Sequence, residues 1–150
     1  MTDSFPGTPH DRFMLAATIY GEARGESFDT QVAVGWTIRN RAQWVSDHGG
    51  PLMFGTGTLS SACIAAYQFS CWNTDSPEHE TMLDIVSSSG SGDPSFQSCL
   101  NAADAVIFGT TPDPTGGCKW YHDSSIPNPP AWGDPALQIG SLTFFRSVDG

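Results

Sequence analysis

The chain has 150 residues, a length that fits one domain and buries roughly 68–70% of the surface its unfolded form would expose. Six Lys and Arg against sixteen Asp and Glu give a formal net charge of -10, which argues against a partner held through a phosphate backbone, since that mode needs a basic footprint. Only 15% of residues are charged while Gly (16) and Pro (11) abound, so the composition describes a compact domain with long irregular connections and a substrate read by shape and hydrogen bonds.

The opening Met1-Thr2-Asp3-Ser4-Phe5-Pro6-Gly7 has neither a basic nor an apolar signal region, and residues 1–8 are expected to form a flexible segment. No stretch reaches transmembrane length. Thr8-Pro9-His10-Asp11 combines a cap, a first-turn proline and an acid at the positive helix end, and Phe13, Ala16, Ala17 and Tyr20 recur at helical spacing, which predicts a helix from about 9 to 24. Ser27 caps a second helix through Val32, Trp36 and Arg39 towards Ser46, stopped by Gly49-Gly50-Pro51, with Trp36 in the core.

Next come a Gly/Thr loop, a short helix near Leu59–Ala66 and the run Tyr67-Gln68-Phe69-Ser70-Cys71-Trp72-Asn73. Ser76-Pro77-Glu78 starts a further helix whose buried stripe is Met82, Ile85 and Val86, and Asp93-Pro94 starts another carrying Phe96, Leu100, Ala103 and Ile107 and ending at Gly109. After Pro112, Pro114 and Gly116-Gly117, residues 118–122 read as a short strand, and a proline-rich loop separates them from a second strand near Leu142–Arg146. The pattern is one α+β domain spanning 1–150, mainly helical with a small β-sheet in its C-terminal part.

Three features carry chemistry. Glu22 and Glu26 lie four apart at the end of an otherwise apolar helix and share a face if the helix continues that far. The negative helix end and an apolar cleft wall both favour a protonated carboxyl group, as a general acid requires, and Glu22 is the better placed. Solvated helix-end residues with Arg24 as a loose partner would look the same in sequence. Gln68-Phe69-Ser70-Cys71-Trp72-Asn73 mixes amides and hydroxyl with large aromatics, which suits a sugar cleft and equally a core loop anchored by Phe69 and Trp72. Tyr121 and His122 could stand at a strand end facing the same groove, or His122 could be a satisfied structural histidine.

These segments, in this order, resemble the SleB-type cell wall hydrolases, the family of spore-cortex-lytic enzymes and phage lysin domains, over nearly the whole chain. The resemblance rests on Ile19-Tyr20-Gly21-Glu22-Ala23-Arg24-Gly25-Glu26, the helix Gln31 to Arg41 with its Ile38-Arg39-Asn40-Arg41 end, and Gln68-Phe69-Ser70-Cys71-Trp72. It extends to Asp113-Pro114-Thr115-Gly116-Gly117, Tyr121-His122, and Ile139-Gly140 to Phe144-Phe145. It implies a lysozyme-like or transglycosylase-like fold, cleavage of the bond between N-acetylmuramic acid and N-acetylglucosamine in peptidoglycan glycan strands, and Glu22 as catalytic acid. The product is an anhydro sugar if the substrate's own hydroxyl captures the reacting centre, or a hydrated end if water does.

Gln68, Ser70 and Tyr121 are the expected substrate contacts, followed by Phe69, Trp72 and His122, with Glu26 as a possible secondary carboxylate and Asp75 and Asp123 as further ones. No cofactor, metal, nucleic acid or membrane is expected to take part, and a monomer is expected. With no export signal or wall-binding domain in view, delivery to the wall comes from elsewhere, as for a phage or prophage lysin made in the cytoplasm. Segments 49–60 and 87–95 read as loops that alter cleft shape.

Competing readings use other residues. Cys71 as nucleophile, His122 as base and Asp123 as orienter would make a peptide-cleaving amidase. Cys71, Cys118 and His122 lack the close ligand pairing of a zinc site. A non-enzymatic wall-binding module would use the aromatics alone. Four cysteines, Cys63, Cys71, Cys99 and Cys118, leave the disulfide state open.

Overall fold

A computed structural model describes residues 4–65 and 68–146. Five α-helices precede a small sheet: α1 (Pro9–Ala23), α2 (Phe28–His48), α3 (Leu59–Ile64), α4 (His79–Ser88) and α5 (Pro94–Ile107), then β1 (Trp120–Asp123), β2 (Leu137–Ile139) and β3 (Leu142–Phe145). The α+β reading holds: helices first, sheet last.

Local chemistry explains most boundaries. At α1, the Thr8 hydroxyl accepts from the Asp11 N–H at 3.1 Å while the Asp11 carboxylate accepts from the Thr8 N–H at 2.9 Å, a reciprocal cap with Pro9 in the first turn. Ser27 caps α2 by accepting from the Thr30 N–H, and Gly49 ends it at φ 78°, a conformation that disfavours a side chain. The Asp93 side chain accepts from the Ser95 N–H at the start of α5.

Residues 32–38 of α2 are all buried, the pattern of a helix covered on every side. Trp36 is among them and donates its indole N–H to the Thr111 carbonyl at 3.0 Å. Helices α1 and α2 both pack on α5, and Gly35 permits the second approach, since a Cβ there would stand 2.8 Å from Val106 Cγ2. Leu15, Ile19 and Ile38 are fully enclosed, and each such side chain contributes about 1.5–3 kcal/mol of hydrophobic stabilisation.

Several expectations need correction. Helix α4 begins at His79: Ser76 and Pro77 form a turn before it, the Ser76 hydroxyl accepting from the Glu78 N–H at 3.1 Å. Met82 and Ile85 are buried there but Val86 is 47% exposed, because each residue turns the helix face by about 100° and the buried stripe is narrow. Within the segment expected to be flexible, Phe5 is buried and its N–H donates to the Ile107 carbonyl at 2.7 Å, so the chain is tied to α5 before α1 begins. The strand expected from Cys118 starts at Trp120, and β2 is an addition. Helix α3 stops at Ile64; its expected far end, Ala66, and Tyr67, which opens the aromatic run, lie outside the described residues.

The sheet order is β1-β3-β2, antiparallel throughout, with Trp120 opposite Phe145, Tyr121 opposite Phe144 and Leu137 also opposite Phe144. Every residue of β3 is buried. Phe145 forms a small second core with Val45, Phe54 and Trp120, and Trp132 packs against it. Thus β1 lies between the helical core and this aromatic cluster.

Candidate active site

Three segments distant in sequence meet at one cleft. Helix α1 delivers Glu22 one residue before its end. A 3-10 turn, Ser70–Trp72, packs directly on α1, and the packing needs a glycine beside the carboxylate. A Cβ on Gly21 would lie 2.6 Å from Cys71 Cβ and 2.7 Å from Met82 Sδ. Strand β1 supplies the third side. Its approach is fixed by Asp113, whose Oδ2 accepts from the Asn40 side chain and the Gly117 N–H, both at 2.9 Å, and whose Oδ1 accepts from the Thr115 N–H at 2.8 Å. Gly116 and Gly117 turn at φ 67° and 98°, positions a side chain would strain.

Glu22 is held at both oxygens. The Tyr121 hydroxyl donates to Oε1 at 2.7 Å, and the Cys71 backbone N–H donates to Oε2 at 3.3 Å. Burial pushes the Tyr121 phenol well above its usual range, and the negative Glu22 beside it pushes the same way, so Tyr121 remains a donor across the physiological range.

The floor of the cleft is Arg41, a side chain that nothing in the sequence reading singled out for a role. Only 4% exposed, it donates from Nε to the Lys119 carbonyl at 2.6 Å and from Nη1 to Gln68 Oε1 at 3.2 Å. Its guanidinium carbon lies 4.9 Å from the Phe54 ring centre, 4.9 Å from Phe69 and 4.8 Å from Trp120. Burial lowers it to about 10 while the attraction of Tyr121 and Glu22 opposes the fall, which leaves it cationic at neutral pH.

The cleft has a volume of about 590 Å³, within the range of small-ligand sites. Glu22, Gln68, Ser70, Tyr121, His122 and Arg41 all line it. It is polar and aromatic at once, the combination that binds sugar rings.

A family model described as Cell Wall Hydrolase matches residues 25–145. The chain belongs to the cell wall hydrolase family. This hydrolase acts on peptidoglycan, as the sequence resemblance implied. No curated protein and no solved structure matches it. Glu22 stands just ahead of the matched span.

The remaining site residues expected from the hydrolase sequence divide. Phe69 lines the cleft as a nearly enclosed wall, 2% exposed, beside Arg41. Trp72 instead packs against the main core and donates its indole N–H to the Thr18 hydroxyl at 3.0 Å. Glu26 does not share a face with Glu22, because α1 stops at Ala23; its carboxylate accepts from the Ser141 hydroxyl at 2.6 Å and tethers the turn between β2 and β3. Asp75 is exposed, whereas Asp123 is exposed at the end of β1 and lines the cleft. Its carboxylate accepts from the Ser125 N–H at 2.8 Å, which holds it below the usual range.

His122 turns Nδ1 to the Asp123 carbonyl at 2.6 Å and Nε2 to the Asn128 side chain at 2.9 Å, and its ring stacks on Phe145. All four cysteines are free and buried. Burial, then the negative Glu22, pushes the Cys71 thiol far up, the opposite of what a thiolate nucleophile needs. Cys118 donates to the Thr115 carbonyl at 3.2 Å. Among the described residues no group of three or more His, Cys, Asp or Glu side chains is placed to hold a metal ion.

Proposed function

We propose that this hydrolase cleaves the glycan strand of peptidoglycan at the bond between N-acetylmuramic acid and N-acetylglucosamine, with Glu22 as the catalytic acid. The observation that carries the reading is the two-point hold on the Glu22 carboxyl group at the wall of a sugar-sized cleft, by Tyr121 and by the Cys71 N–H.

Glu22 gives its proton to the glycosidic oxygen as the bond from that oxygen to the anomeric carbon breaks. Negative charge then develops on the carboxylate, where two fixed donors already point and the Arg41 cation stands in the same cleft, so no reorganisation accompanies the step. The oxocarbenium-like carbon is captured by a hydroxyl of the same sugar or by water, and the proton released returns to Glu22. The first route gives an anhydro product, the chemistry of a lytic transglycosylase; the second is muramidase hydrolysis.

Glu26 is occupied with Ser141 and is not a second catalytic group in this reading. Gln68 and Ser70 contact the sugar, and Phe69, Tyr121 and His122 shape the wall behind it. Peptidoglycan digestion by Glu22→Gln tests the reading: it predicts intact glycan strands from a folded variant. The amidase reading gains nothing from the geometry, since the Cys71 thiol is buried and His122 directs its nitrogens to Asp123 and Asn128.

A further inference from the structure

Arg41 has a donor to spare. Its Nε and Nη1 are spent on the Lys119 carbonyl and Gln68, yet among the described residues no acceptor engages Nη2, and that nitrogen is not among the sealed, unpartnered atoms of the protein. Since Arg41 lines the cleft, its unspent N–H groups open onto the cavity that holds Glu22. An arginine is seldom buried without a full set of partners, because a desolvated, half-satisfied cation is costly. Here the guanidinium itself sits among the Phe54, Phe69 and Trp120 rings and is bonded at Nε and Nη1, so the fork is fixed before any ligand arrives.

We propose that Arg41 is a substrate-binding residue whose Nη2 donates to a carbonyl or carboxylate oxygen on the sugar next to the scissile bond, and so selects for substituted amino sugars. The assignment rests on the glycan-cleaving reading of the cleft. Two substituents of peptidoglycan carry such an oxygen, the acetamido group and the lactyl group. A plain hydroxyl would be the poorer match, since a charged donor is best matched by an acceptor of high negative partial charge. Gln68 takes a supporting part, because its Oε1 fixes the other arm of the fork.

The test uses the Glu22→Gln protein, which holds substrate without turnover, alone and with Arg41→Lys or Arg41→Met. Dissociation constants are measured for peptide-free glycan strands, the same strands after de-N-acetylation, and N-acetylglucosamine oligomers. Loss of a charge-assisted hydrogen bond predicts weakening by about tenfold to a hundredfold. Arg41→Lys keeps charge and stem but not the fork, and should weaken binding too. Weakening on N-acetylated strands and oligomers, absent on de-N-acetylated strands, assigns the acetamido oxygen; weakening on strands but not on oligomers assigns the lactyl oxygen.

Should both variants misfold, the guanidinium nitrogen resonances of Arg41 in the Glu22→Gln protein give the answer without a second substitution: they shift and gain protection when glycan binds. Unchanged resonances, or folded variants that bind all three ligands as tightly as Glu22→Gln alone or are weakened equally on all three, would overturn the proposal. If Glu22→Gln still digests glycan, the reading of the site fails, and that outcome is separate from any affinity change at Arg41.

Discussion

The Tyr121 hydroxyl meets Glu22 Oε1 at 2.7 Å across 99 residues of chain, joining the first helix to the first strand in the lining of the cleft. The bond forms because β1 is held by the Asp113 turn on one side and paired to β3 on the other, Tyr121 opposite Phe144. Tyr121→Phe keeps the ring and removes only the donor. It should lower kcat about tenfold to a hundredfold, the effect of deleting one hydrogen bond to a charged group, with KM little changed. A change confined to KM would make Tyr121 a sugar contact instead of the residue that orients the acid.

Gly21 is the second structural requirement of the site. Gly21→Ala forces a Cβ against Cys71 and Met82 at distances that packed atoms do not tolerate. Overpacking of this kind costs about 1–3 kcal/mol, and the Ser70–Trp72 turn must yield because α1 is pinned on its other faces. The Cys71 N–H then leaves Oε2, so activity should fall along with Tm. Thermal melts paired with kinetics decide the matter; an unchanged Tm would mean that the turn is not seated as described.

The acid limb of stability should follow Asp11. Burial raises this carboxyl group, but hydrogen bonds from the Thr8 and Ser60 backbone and from the Thr8 hydroxyl more than offset the rise, leaving it below its ordinary value of 3.8. A depressed folded-state value means stability that is present above pH 3.8 and lost as pH falls through the lower folded value. Asp11→Asn should therefore cost about 0.5–2 kcal/mol at neutral pH, the range for a helix cap. As pH falls below 3.8 the gap between the two proteins should narrow, as denaturant unfolding across that range would show. A gap that stays constant with pH would exclude the carboxylate as its origin.

Much of this was legible in the sequence where the signal is local. Thr8-Pro9, Ser27 and Asp93-Pro94 start helices through backbone hydrogen bonds made within four residues, and those starts were placed correctly. Ser76-Pro77 misled because the same residues also make turns, and here one precedes the helix. Strand β2 has only three residues and no alternation of its own; it exists because β3 offers it a partner. At the site, Glu22, Gln68, Ser70 and Tyr121 could be named from residue type and motif. Arg41 could not, because its meaning depends on Phe54, Phe69 and Trp120 arriving from three distant segments. Trp72 looked like a sugar platform, yet Thr18 gives its indole a partner inside the core.

Glycan cleavage by Glu22 is tested most directly on the substrate itself. Purified peptidoglycan should be digested by the parent protein, by Glu22→Gln and by Cys71→Ala, and the soluble products identified by mass spectrometry. Glycan fragments ending in anhydro-muramic acid or in hydrated muramic acid are expected from the parent and from folded Cys71→Ala, and none from Glu22→Gln. Intact glycan with released stem peptides, abolished by Cys71→Ala and retained by Glu22→Gln, would contradict glycan cleavage by Glu22.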